Sequence, residues 1–103
     1  MNEAKEALIS RLAKLDAELQ HSYEGRAGAV SAAINECRNL LRNPDGELGP
    51  WEAADLDYAE TAVGANFLRL ALACVAKAVH VSCLPPEEYE RGYNYQGYRR
   101  VSE

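Results

Sequence analysis

Among the potential ligands or acid–base groups that stand three residues apart in this chain are Glu18 with His21, Glu52 with Asp55, and His80 with Cys83. On a helix that separation puts both side chains on one face, about 60° apart. Each pair suits a different chemistry. A carboxylate with an imidazole ligates transition metals, two carboxylates suit Mg²⁺, and an imidazole with a thiolate is half of a zinc set. Cys37 and Cys74 would have to complete that zinc set. Zinc motifs bring two close pairs, and here there is one. The expectation is therefore buried thiols, with Cys37 on an apolar helical stripe. A Cys–His nucleophile lacks an orienting third group. Glycines at 25, 28, 46, 49, 64, 92 and 97 never approach a phosphate-loop spacing. No catalytic set, no metal site and no cofactor is expected.

Two of the pairs bear a partial likeness to known families. Glu18-x-x-His21 resembles half of the ligand motif of four-helix di-iron carboxylate proteins. The second half is missing, and His21 lies about 150° round the helix from the leucine stripe, which makes it a surface residue. Glu52-x-x-Asp55, with Glu3-x-x-Glu6 upstream, is similar to the acidic pairs of all-α nucleotide pyrophosphatases. That resemblance implies an Mg²⁺-dependent hydrolase using Glu52, Asp55 and Glu60 across a dimer interface, and it stands as the alternative function. The gap between the pairs is much longer than in that family. Acids in a first helical turn also complement the helix dipole without any metal.

The 103 residues allow one domain, and 48% apolar with 26% charged residues is an ordinary globular balance. A net charge of −5 argues against a duplex-DNA binder, which needs a basic face. Three cysteines and a charged rather than apolar start point to a reducing, cytoplasmic setting. The most apolar stretch, 67–84, contains Arg69, Lys77 and His80, which are costly at bilayer depth, so no membrane span is expected.

The elements that would position these groups are helical. Alanine is abundant and β-branched residues are scattered, so the fold class is all-α: a small bundle of three to four helices, about 3–23, 27–42, 50–63 and 65–83. Leu8, Leu12, Leu15 and Leu19 step by 4, 3 and 4, as do Val30, Ile34, Cys37 and Leu41. The two stripes predict an antiparallel hairpin. Asn43-Pro44-Asp45-Gly46 predicts a turn, and Pro50 fits the first position of a new helix. From Pro50 to Cys83 only Gly64 interrupts the pattern, so the chain either bends there or runs on as one helix. Before Gly64 the apolar sector reads as Trp51, Tyr58, Ala62 and Val63; after it, apolar or small residues cover about two-thirds of the circumference. Two other amphipathic helices are too few to cover such a segment, which predicts a homodimer through Phe67, Leu68, Leu72, Val75 and Val79.

Two surfaces remain for recognition. Residues 43–68 carry six acids, including Asp57 and Glu60, and no base. This is a candidate face for a basic partner. The tail, 85–103, concentrates Tyr89, Arg91, Tyr93, Tyr95, Tyr98, Arg99 and Arg100 with almost no aliphatic side chain. Tyrosine and arginine dominate binding hot spots, so the tail is expected to dock on the bundle, on a dimer mate or on a protein partner. Single-stranded RNA stacking on its rings is a further alternative, and nucleic acid is otherwise not expected. The expected function is that of a small acidic helical interaction protein that binds and regulates or inhibits another macromolecule, as immunity proteins, antitoxins and phage-type inhibitors do.

Overall fold

The computed structural model describes residues 2–93, the side chain of Tyr93 excepted. These residues form an all-helical bundle: α1 (Glu3–Leu19), α2 (Ala27–Leu41), α3 (Pro50–Gly64), α4 (Leu68–Ser82) and α5 (Pro86–Tyr93). Asn2 opens α1 by accepting the Lys5 backbone N–H on its side chain at 2.8 Å, and Glu3 and Glu6 lie at the positive end of the dipole. Leu8, Leu12 and Leu19 are buried and Leu15 half-buried, as their spacing requires. The helix stops at Leu19, short of the expected residue 23, and His21 lies in the exposed turn beyond it. Val30, Ala33, Ile34 and Cys37 are the buried face of α2. The turn before α3 is organised by Asn43, whose side-chain oxygen accepts from the Asp45 and Glu47 backbone N–H groups at 2.9 and 3.0 Å.

α3 and α4 are separate helices, and the break is not made by Gly64. Asn66 takes the left-handed conformation, φ +65°. The Phe67 N–H then reaches back to the Ala62 carbonyl at 2.8 Å and the Asn66 N–H to Val63 at 2.9 Å. Those two bonds satisfy the last carbonyls of α3. α4 starts without a local side-chain cap; the Tyr23 hydroxyl accepts the Leu68 N–H at 3.1 Å from across the bundle.

α4 is the central element, in contact with α1, α2, α3 and α5. Four of the five residues expected at a dimer interface lie within this packing. Leu68, Leu72, Val75 and Val79 are all buried within the single chain. The four helices neighbouring α4 supply this cover within the single chain. Of the five expected residues only Phe67 is exposed, at 60%. The apolar sector read for α3 is also displaced: Glu52, Asp55, Leu56, Ala59 and Ala62 are buried, while Tyr58 faces solvent at 58%. No described helix is long and apolar enough to cross a membrane.

Candidate functional site

The first turn of α3 collects the chain's most unusual side chains. Pro50 at the start of the helix and the Gly49 cap bring the backbone round so that Trp51, Glu52 and Asp55 lie where α5 returns. Glu52 is 7% exposed and Asp55 3%, although both read from sequence as solvated dipole acids. The signal that could have found them is the position of Leu56, the large aliphatic residue in the middle of α3. It shares a face with Ala59 and with both acids.

Tyr89 of α5 closes this turn. Its hydroxyl donates to Glu52 Oε1 at 2.6 Å, and its backbone carbonyl accepts the Trp51 indole N–H at 2.7 Å. The two rings lie 6.4 Å apart at 46°. Gly49 makes room: a Cβ there would collide with the Tyr89 hydroxyl and the Glu52 carboxylate. Burial, and then the bond to an ionised carboxylate, push the Tyr89 phenol up to about 12. Burial also pushes Asp55 up to about 6; Lys77 opposes this and Glu52 adds to it. Asp55 Oδ2 has no hydrogen-bond partner. Chemically, the cluster can hold and release one proton near neutral pH beside a second carboxylate already engaged by a phenol. It does not present two open carboxylates to a hydrated metal, as the hydrolase alternative needs.

The other expected site residues are dispersed. Asp57 and Glu60 lie on the solvent side of α3, both ion-paired to Arg38 of α2 at 2.9 and 3.0 Å. The stretch 43–68 lacks a base in sequence, but the fold supplies one from outside it. Arg91 is exposed on α5, whereas Tyr95, Tyr98, Arg99, Arg100 and the Tyr93 side chain lie outside the described residues. Glu18 pairs with Arg26 at 3.3 Å rather than with His21. Cys37 is fully buried, and burial pushes its thiol up to about 12; Cys74 is half-buried. Cys83, expected among the buried thiols, is exposed at the end of α4 because it caps the helix instead of lining it. Among the described residues no group of three or more His, Cys, Asp or Glu side chains is placed to hold a metal ion.

Two surface grooves complete the picture. One of about 540 Å³ runs between α1 and α4, floored by Leu12, Leu72 and Ala76 and rimmed by exposed Leu70 and the Asp16–Arg69 ion pair. One of about 350 Å³ lies between α1 and α2 beside the Arg11–Glu36 pair. Neither is lined by Glu52 or Asp55. No protein-family model, curated protein or solved structure matches the chain.

Proposed function

We propose that this chain is a small acidic interaction protein that binds a basic surface of another protein and thereby regulates or inhibits it. The observation that carries this reading is the outer face of α3. Tyr58 stands out from it at 58% exposure, on the same helix as the solvent-side acids Asp57 and Glu60, which Arg38 anchors. An exposed tyrosine on a helix that also carries ordered charges combines a stiff contact area with polar ends, the combination that concentrates binding energy at interfaces. The net charge of −5 favours encounter with a basic partner. Arg91 and the tyrosine- and arginine-rich sequence beyond α5 are a second contact in this proposal. Self-association, which is also proposed, falls to exposed Phe67 and Leu70 instead of the buried face of α4.

The test is affinity capture with the full chain and with a Tyr58→Ala, Asp57→Lys, Glu60→Lys variant, read by mass spectrometry. A protein retained by the wild type and lost from the folded variant is the expected result. Identical captured sets from both chains would remove the outer face of α3 from any binding role.

A further inference from the structure

The contact between α3 and α5 has the construction of a device that opens and closes. Residues 86–93 make a helix of eight residues that Tyr89 anchors on α3. It is joined to α4 by only Cys83, Leu84 and Pro85. The contacts that Tyr89 makes with α3 fall in one helical turn: the Trp51 indole, the Glu52 carboxylate and the bare Gly49 backbone.

Asp55 lies one turn further along the same buried face, with one carboxylate oxygen unpartnered. With both acids ionised, two negative charges stand a helical turn apart in a water-poor setting. The groups that face them are few. From α4 come Lys77, whose charge offsets part of the repulsion, and the half-buried Cys74 thiol. From α5 comes the Tyr89 phenol, and from α2 the Cys37 thiol. Arg38 of α2 is committed to Asp57 and Glu60 on the opposite side of α3. An ionised Asp55 therefore gains from any movement that admits water, and the element held there by one side chain is α5. A proton taken up from solvent by Asp55 removes both the desolvation and the repulsion.

We propose that α5 is a proton-gated strap: its docking on the first turn of α3 tightens when Asp55 takes up a proton and loosens when Asp55 is ionised. Lifting the strap uncovers Trp51 and Glu52. Docking of the strap needs no partner and is independent of the proposed binding face.

Trp51 is the only tryptophan in the chain, so its indole N–H gives one nuclear magnetic resonance signal that reports the bond to the Tyr89 carbonyl. The signal is followed in the full chain between about pH 5 and 8, a range that brackets the Asp55 ionisation. Tyr89→Ala supplies the position of the released state, and Gly49→Ala, whose methyl group displaces Tyr89, a second reference. The wild-type signal is expected to move toward the released position as pH rises, while Asp55→Asn stays docked throughout. Lys77→Met, which removes the cation favouring ionised Asp55, is expected to raise the midpoint; this arm decides the matter should Asp55→Asn fail to fold. A wild-type signal that stays still, movement away from the released position, an Asp55→Asn signal that moves with the wild type, or a Lys77→Met midpoint that does not rise would each overturn the strap.

Discussion

Burial of Asp55 makes the stability of this bundle depend on pH in the sense opposite to that of a salt-bridged carboxylate. Its ionisation is raised to about 6, so between the ordinary aspartate value of about 4 and that point the folded chain holds a proton that the unfolded chain has lost. Stability from this group is full below about pH 4 and is lost as pH rises through about 6. A displacement of roughly two pH units corresponds to about 3 kcal/mol at most. Asp16 and Glu36, held below the usual carboxylate range by Arg69 and Arg11, act the other way, and their contribution is lost as pH falls through their lowered values. Asp55→Asn should therefore stabilise the protein by about 1–2 kcal/mol above pH 7 and flatten the dependence between pH 4 and 7, as measured by urea unfolding at a series of pH values. An unchanged profile would mean that Asp55 is hydrated in the folded chain. At this scale the leucine stripe of α1 and the Cys37 stripe of α2 were legible, because large apolar residues recur there at helical spacing. Glu52 and Asp55 were not legible. α3 carries few large aliphatics, so Leu56 alone marks its inward side and the pattern is weak.

Among the elements, the passage from α3 to α4 shows what the sequence hides. Gly64 looked like the natural bend because glycine is permissive, yet it ends as an ordinary member of α3. Asn66 takes the positive φ instead, since a short amide side chain tolerates the left-handed region better than other non-glycine residues do. Asn66→Ala should cost about 1 kcal/mol, and Asn66→Gly should be neutral or slightly stabilising. Thermal unfolding of the pair decides this, and equal melting temperatures for alanine and glycine would show that the helix junction does not depend on Asn66. The start of α4 was equally hidden, because its cap is the hydroxyl of Tyr23, 45 residues earlier in the chain. The α2–α3 turn, whose hydrogen bonds are local to Asn43, was fully readable.

For the whole molecule, helical class and the broad apolar circumference of the segment from 67 to 83 were legible from composition and spacing. What covers that segment was not, because circumference says how many neighbours a helix needs and nothing about whose they are. Leu72→Asp separates the two possibilities: with Leu72 at 3% exposure inside the single chain, a charge there should unfold the protein and not merely dissociate it. The cost, several kcal/mol, is comparable to the whole stability of a small domain. Circular dichroism with light scattering gives the answer, and a folded, helical Leu72→Asp monomer would contradict the packing described. The acidic stretch shrank on folding in the same way, since two of its six acids turned inward and two share Arg38. In the proposed function the first contact falls to Tyr58, Asp57 and Glu60, and the most direct measurement is the association rate of the captured partner at low and physiological salt. The account predicts an on-rate that falls as salt rises and that drops about tenfold or more when Asp57 and Glu60 are reversed to lysine, with faster dissociation for Tyr58→Ala. On- and off-rates indifferent to salt and to all three substitutions would contradict it.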